Sequence, residues 1–240
     1  MVITKYMGKN ALRVRVPAEI EGQQVVGIGE YAFFAVAVME VYLPDSIIDI
    51  GQRAFSSAEI TSIVIPDSVT DIDQGAFVNC EGLTRVTIGS GVINIVGGNG
   101  DGGVFANTAL YNAAPDGLFY VGNWLISYKG ILTGTVEIKE GTKGIAGSAL
   151  SMCDGITNIT IPDSVENIGE HAFSQCTGLT GVIISNSVAV LKSATFLDCT
   201  NLISVQIPDS VIEIDHNVFM RCTSLDEATR LRILQIQPEA

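Results

Sequence analysis

Basic side chains are scarce in this sequence: 13 lysines and arginines stand against 26 aspartates and glutamates, a formal charge of −13. That excess repels nucleic-acid backbones and anionic membranes, so neither is expected as a partner. Long apolar runs are missing too. The longest, from about Ala32 to Met39, falls far short of the ~20 residues that span a bilayer, so no membrane insertion is expected. No basic stretch followed by an apolar one opens the chain, so no signal peptide is expected within it. Dense charge is also absent. Only 16% of residues are charged while 47% are apolar, which excludes disorder. Histidine occurs twice and tryptophan once. Glycine is plentiful, at 25 residues, and the length of 240 suits one ordinary domain or one short repeat array.

The array is the better reading, because two markers recur in phase. An Ala-Phe pair or a close variant places its second residue at Phe33, Phe55, Phe77, Phe105, Leu150, Phe173, Phe196 and Phe219. The intervals are 22, 22, 28, 45, 23, 23 and 23 residues. An apolar residue before a proline or its substitute recurs at Val16, Leu43, Ile65, Ile88, Ile138, Ile161, Ile184 and Ile207. Within a unit, Leu179, Val182 and Ile184 follow the spacing Leu-x-x-Val-x-Ile, and the last two alternate as a strand does. Pro-Asp-Ser then turns the chain, since proline cannot donate within a sheet. The Ala-Phe segment reads as one helical or 3₁₀ turn whose ring plugs the core. A single unit cannot bury its own apolar face, but stacked units can.

The motif Cys-x-x-Leu-x-x-Val-x-Ile-Pro-Asp-Ser-Val-x-x-Ile-Gly-x-x-Ala-Phe is clearest from Cys153 to Phe173. It resembles the BspA-like (treponemal-type) leucine-rich repeat family, over almost the whole chain from about Ile3 to Leu225. The resemblance implies a curved right-handed solenoid with a parallel sheet on its concave face. It also implies bacterial surface or secreted proteins that bind other macromolecules. The expected fold is therefore an α/β repeat: a right-handed leucine-rich repeat solenoid of about eight units of 22–23 residues, with a parallel concave sheet, an inserted β-hairpin and a C-terminal capping helix. One domain, 1–240, is expected to divide into N-terminal repeats (3–93), an insertion (94–133), C-terminal repeats (134–223) and the capping helix (224–237).

Five cysteines would suggest a free thiol in a secreted chain. The repeat gives another reading. Cys80, Cys153, Cys176, Cys199 and Cys222 each follow the Phe position by three residues, where Val36, Ala58 and Thr108 stand elsewhere. Such a slot is small, buried and apolar, so a ladder of buried thiols is expected rather than disulfides or a metal site. His171 and His216 fall at variable, exposed positions with no nucleophile locally beside them, so no catalytic residue is assigned. Asp45, Asp67, Asp163 and Asp209 form a carboxylate row that reads as turn chemistry rather than calcium binding or acid catalysis. Gly98 to Gly103 matches G-x-G-x-x-G, but the next Ala-Phe segment comes directly after it in place of a helix, so a flexible insertion is expected, not a phosphate cradle.

Binding candidates lie in two places. In the 45-residue gap, two apolar runs flank Gly122-Asn123, a hairpin signal, and carry Tyr120, Trp124 and Tyr128. They either seal an edge of the solenoid or anchor a partner. On the strands, the residues flanking each central Val point outward. That row includes Tyr42, Val64, Arg85, Thr87, Thr160 and Ile183, and is either an ordinary solvated sheet or a shallow groove for a peptide or glycan. Near the end, Ser224 to Glu227 reads as a capping box, with Ala228, Leu231 and Leu234 facing the core and Arg230 and Arg232 exposed.

The expected function is non-catalytic macromolecular recognition, with no cofactor and no metal. The resemblance implies an adhesin-like surface or secreted bacterial protein engaging host or extracellular matrix proteins or glycans. The alternatives are a structural module that self-associates through the insertion, a concave hydrophobic pocket for a small ligand, and an enzyme whose site would have to lie in the insertion.

Overall fold

The computed structural model describes residues 1–8, 11–97 and 102–237. The chain winds as a parallel-sheet leucine-rich repeat solenoid of about nine turns and ends in one helix. Each turn has three walls. The Leu-x-x-Val-x-Ile segment gives a front strand, Pro-Asp-Ser reverses the chain, the Val-x-x-Ile segment gives a two-residue back strand, and the Ala-Phe segment forms a corner that returns to the front.

Front strands Arg13–Arg15, Glu40–Tyr42, Ser62–Val64 and Arg85–Thr87 pair in parallel, one repeat apart in register. A second parallel group holds Gly134–Glu137, Ile156–Thr160, Gly181–Ile183 and Ser204–Gln206. The inward Val or Ile of each strand is buried in most turns, as at Val41, Ile63, Ile159, Val182 and Val205.

The corner is built around stacked rings. Phe33, Phe55, Phe77 and Phe105 follow one another with centroids 5.0–5.4 Å apart, and Phe173, Phe196 and Phe219 repeat the pattern at 5.4–5.5 Å. Leu150 separates the two stacks. A ring fully buried in this way contributes about 1.5–3 kcal/mol. The backbone around each ring is unusual. The residues two before and two after the Phe position have φ near 50–62°, among them Tyr31, Ala35, Arg53, Ser57, His171 and Gln175. That left-handed conformation disfavours non-glycine residues. It is held by a ladder between turns: the N–H groups of Tyr31, Phe33 and Ala35 donate to the carbonyls of Gln52, Ala54 and Ser56, and the pattern repeats along the stack.

The expected eight units become about nine turns because a half-turn precedes the first Ala-Phe marker. Val2–Ile3 pairs with Gly27–Ile28, and Tyr6 stacks on Phe33 at 5.3 Å. Neither repeat marker is present there, which is why the sequence pattern begins one turn late.

The hairpin forms where expected, from Gly117–Val121 and Trp124–Lys129. Its second strand joins the back wall, with Trp124 and Leu125 paired in parallel to Gly144 and Ile145. It therefore separates the two front-sheet groups and stands inside the array. Residues 98–101 of the glycine-rich loop lie outside the described residues, as does Pro238. The loop's described end, Gly103–Phe105, is a 3₁₀ turn.

The terminal helix, Glu227–Ile236, differs in register from the expectation. Its N-cap is Asp226, whose side chain accepts from the Thr229 N–H, and not Ser224. Thr229, Ile233 and Ile236 face the array, whereas Ala228, Leu231 and Leu234 are exposed. Thr229 is buried because its hydroxyl accepts the N–H of Val205, which completes the edge of the last front strand. Arg232 is not on the exposed side either. It donates to the carbonyls of Ile207 and Pro208 and pairs with Asp209 at 3.1 Å. The helix thus satisfies the open front edge with side chains as well as with apolar cover.

Candidate functional site

The outward positions on the front sheet are where the alternation places them. In the N-terminal group, Arg13, Glu40, Ser62 and Arg85 form one row, and Arg15, Tyr42, Val64 and Thr87 form the next. Tyr42 is 39% exposed and Val64 64% exposed. The Tyr42 hydroxyl donates to Glu40 at 2.6 Å, the Arg15 guanidinium lies 4.4 Å from its ring centroid, and Arg13 pairs with Glu40 at 3.1 Å. The hydrogen bond to Glu40 and that residue's charge hold the Tyr42 phenol above its ordinary pKa. Tyr42 is therefore an exposed ring fixed in place by charged neighbours. A shallow concavity of about 290 Å³ opens beside it, lined by Glu40, Tyr42, Asp45, Ser62, Val64 and Pro66. Arg85 and Thr87 continue both rows and are exposed.

Thr160 and Ile183 are brought together in the other group, side by side in register. They line a separate concavity of about 230 Å³ with Asn158, Gly181, Ser204 and Gln206. The six front-sheet candidates thus fall into two patches, four in one and two in the other.

The hairpin candidates have a different role. Trp124 is only 2% exposed. Its indole lies over Gly144, where an added Cβ would overlap the ring. Tyr120 accepts a hydrogen bond from the Lys139 N–H at 3.1 Å. Tyr128 is half-buried, and burial followed by a hydrogen bond with Cys153 pushes its phenol up. Tyr111 donates to the Tyr128 carbonyl at 3.1 Å. These aromatics tie the hairpin to turns on either side; Tyr120 and Tyr128 are half-buried, while Trp124 is buried packing. The signal for this was Gly144: a residue without a side chain makes room for a neighbouring ring. Between the hairpin and the N-terminal strands runs a groove of about 360 Å³, lined by Thr84, Leu110, Ala113, Ala114, Leu118 and Tyr120 among others.

The cysteine ladder is buried and none of the five is in a disulfide. Its slot is not merely apolar. Cys80, Cys176, Cys199 and Cys222 each direct their thiol at the Phe-position carbonyl of the preceding turn, at 2.9–3.1 Å. Thr108 uses its hydroxyl on the Phe105 carbonyl at 2.7 Å. A small side chain that can donate is preferred. Burial pushes the thiols of Cys80 and Cys153 up to about 12.

One expectation about histidine is corrected. His216 Nε2 lies 3.0 Å from Ser193 Oγ, because residues 23 apart are neighbours on adjacent turns. Both side chains are at the surface, and among the described residues no carboxylate bonds this imidazole. The pair lacks the dry site and the orienting acid that activate a serine. The aspartate row serves the turns: Asp67 accepts from the Ser90 N–H and hydroxyl, and Asp163 from Asn186. Among the described residues, no three His, Cys, Asp or Glu side chains stand close enough to share a metal ion. No helix among them is long and apolar enough to cross a membrane.

The model of the BspA type leucine rich repeat region matches in six copies over residues 18–114 and 103–226. Among curated proteins, none matches. Among solved structures, a leucine rich cell surface protein from Faecalibacterium prausnitzii is 23% identical over 95% of this chain, with a TM-score of 0.46. This chain spans 63% of that protein's length. A leucine rich repeat protein from T. pallidum is 23% identical over 98% of this chain and 87% of its own, with a TM-score of 0.44. One from Bacteroides ovatus is 22% identical over 89% and 73%, with a TM-score of 0.39.

Proposed function

Because this chain belongs to the BspA-type leucine-rich repeat family, we propose that it is a non-catalytic recognition module that engages a protein partner through its front sheet. Solenoids of this kind offer extended surfaces, and contact residues sit on a rigid scaffold. The observation that carries the reading is the Tyr42 cluster: an exposed ring held by Glu40 and Arg15, next to exposed Val64. Tyrosine and arginine dominate binding energy at protein interfaces, and a ring already fixed loses little entropy on contact. Arg85 and Thr87 extend the contact surface, and Thr160 and Ile183 form a second, smaller contact for a long partner. The resemblance favours a surface or secreted location and a host or matrix protein as partner. A glycan would also fit the small residues around Ile183.

The test is a panel of matrix proteins and glycans, measured by surface plasmon resonance. Tyr42→Ala combined with Val64→Asp should weaken binding by roughly thirtyfold, since a central anchor is worth about 2 kcal/mol. Ile183→Asp should weaken it less. The melting temperature should not move, because all three side chains are outside the core. Unchanged affinity in the double variant would remove the front sheet as the site.

A further inference from the structure

The front sheet is incomplete at one place inside the array. Strand Arg85–Thr87 pairs only with Ser62–Val64, and Gly134–Glu137, which opens the second group, pairs only with Ile156–Thr160. Between them the sequence supplies no front strand: a one-turn helix, Ala109–Asn112, and the hairpin stand there instead. The Leu110 N–H donates to the Leu83 carbonyl, much as the Asp226 N–H before the terminal helix donates to Ile203. The likeness ends there. The terminal helix gives the Val205 N–H an acceptor in Thr229, whereas the short helix brings Ala109, Leu110 and Ala113 to its groove.

Strand parity identifies the open groups. The Ile65 N–H donates to the Thr87 carbonyl, so Arg85 and Thr87 face the preceding turn, and Val86 and Ile88 face the missing strand. At regular junctions the residue in the place of Ile88 donates across to the next strand: Val16 to Tyr42, Ile138 to Thr160, Ile161 to Ile183 and Ile184 to Gln206. Among the described residues the N–H groups of Val86 and Ile88 have no acceptor. The side chains are unfinished as well. Val41, Ile63, Val136, Ile159, Val182 and Val205 are buried, while Val86, in the same inward position, is only partly so. Leu110, Leu118 and Tyr120 are also partly buried, along the groove of about 360 Å³ that begins at Thr84. The outward row ends on an unanswered charge. Arg13 pairs with Glu40 on the next turn, whereas Arg85, exposed in the same row, has no ion-pair partner among the described residues.

We propose that this gap is a docking site for an extended segment of a partner protein, which adds to the open edge as the missing front strand. In pairing of this kind the main-chain groups of the edge give affinity and alternate side chains give specificity. The register defines the segment: an acidic residue opposite Arg85, apolar residues opposite Val86 and Ile88, and a solvent-facing residue opposite Thr87. The Val86 and Ile88 N–H groups donate to it, and the Val86 carbonyl accepts from it. Its inward side chains close over Val86, and Arg85 gains the neighbour that Arg13 has in Glu40. The docking rests on the chain being a recognition module but not on the Tyr42 cluster: the segment binds whether or not a matrix partner uses that cluster.

The probe is a fluorescein-labelled peptide with the sequence of Val38–Ser46, whose Glu40, Val41 and Leu43 match the acidic and the two apolar positions. Fluorescence anisotropy should show saturable binding to the full chain. N-methylation at the peptide's Tyr42, whose amide would donate to the Val86 carbonyl, should weaken binding about tenfold. At the peptide's Val41, whose amide faces away from that strand, it should weaken binding less. Arg85→Glu should keep its melting temperature, because the side chain is exposed, and lose about tenfold in affinity. A peptide carrying Glu40→Arg should bind this variant better than it binds the wild type. In the free protein, hydrogen exchange followed by NMR should be faster at Val86 and Ile88 than at Ile63 and Ile65, and the peptide should slow it. Edge amides already protected in the free chain would overturn the proposal. So would the absence of saturable binding at millimolar peptide, tolerance of methylation at Tyr42, or a charge swap that restores nothing.

Discussion

The placement of Trp124 inside the array can be tested by one added methyl group. Trp124 and Gly144 are register partners, and a Cβ at position 144 would overlap the six-membered ring of the indole. Gly144 does not have positive φ, so alanine meets no backbone objection there, and the effect of Gly144→Ala is steric. Loss of a glycine stabilises through the unfolded chain by about 0.4–1 kcal/mol, while overpacking a buried site costs about 1–3 kcal/mol. The net expectation is a destabilisation of about 1–2 kcal/mol. Trp124→Leu alone should cost about 3 kcal/mol, as large-to-small core changes do. Combined, the two should be non-additive. With the ring gone, Gly144→Ala becomes neutral or stabilising, which gives a coupling of about 2 kcal/mol, within the range for contacting residues. Urea unfolding followed by far-ultraviolet circular dichroism measures all four proteins without relying on the tryptophan. Additive costs, within about 0.5 kcal/mol, would refute the contact and return Trp124 to the surface. The same data carry a second readout. Solenoid stability is a sum over neighbouring turns, and the hairpin is where both the ring stack and the front sheet are interrupted. Weakening it should split the transition into separate unfolding of the two halves.

Four further outcomes are expected. Ala35, exposed with φ 53°, should tolerate glycine with a gain of up to about 1 kcal/mol, whereas Ala35→Val should cost more than about 1 kcal/mol; thermal melts of the pair distinguish them. The thiols of Cys80 and Cys153 should resist alkylation at pH 8, because burial raises them to about 12 and leaves them protonated; both should react in denaturant, and their rapid modification in the native protein would contradict the ladder. Asp49 is raised by burial and then by the charge of Asp71, so its ionised form opposes folding above its folded pKa, and that penalty disappears below the unfolded value. Asp49→Asn should therefore raise the melting temperature at pH 7 by an amount that shrinks as the pH falls through the carboxylate range. Asp67 and Asp226 work the other way. Hydrogen bonds from Ser90 and Thr229 lower them, so their contribution is full above the unfolded pKa and lost as the pH falls through the folded one.

The repeat makes the three walls legible from sequence, because burial of one face forces the same residue type to recur at the same phase. The features it leaves open have the same origin. Tyr6 carries no Ala-Phe marker, yet it fills the ring position of the first turn. The terminal helix has two apolar spacings on its surface, Ala228–Leu231–Leu234 and Ile233–Ile236, and periodicity cannot rank them. Thr229 decides the matter by hydrogen bonding to a strand edge, an interaction with no hydrophobic signature. The left-handed corner residues include tyrosine, arginine, histidine and alanine, so composition gives no hint of their φ. For the hairpin, alternation predicted the strands but not which side faced the core, since both faces carry aromatics.

A solenoid nonetheless makes surface geometry more readable than other folds do, provided the sequence is written in rows. Residues 22 or 23 apart are neighbours, and this spacing alone relates Ser193 to His216, Asp163 to Asn186, Asp154 to Thr177, and Asp198 to Arg221. Each of these contacts could have been anticipated by adding one period to a residue number. Scanning His171 and His216 for nearby nucleophiles along the chain missed Ser193, because the relevant distance runs across the turns. The same rule assembles Arg15, Tyr42, Val64 and Thr87 into one row from four separate repeats. It fails where the period does, at the 28- and 45-residue intervals between Phe77, Phe105 and Leu150. That is the stretch in which the sequence left Trp124, Tyr120 and Tyr128 open between sealing an edge and anchoring a partner, and the structure buries Trp124. A break in the period removes the neighbour relation on which inward or outward assignment rests, so aromatics in such a segment carry no evidence of exposure until a partner such as Gly144 is identified.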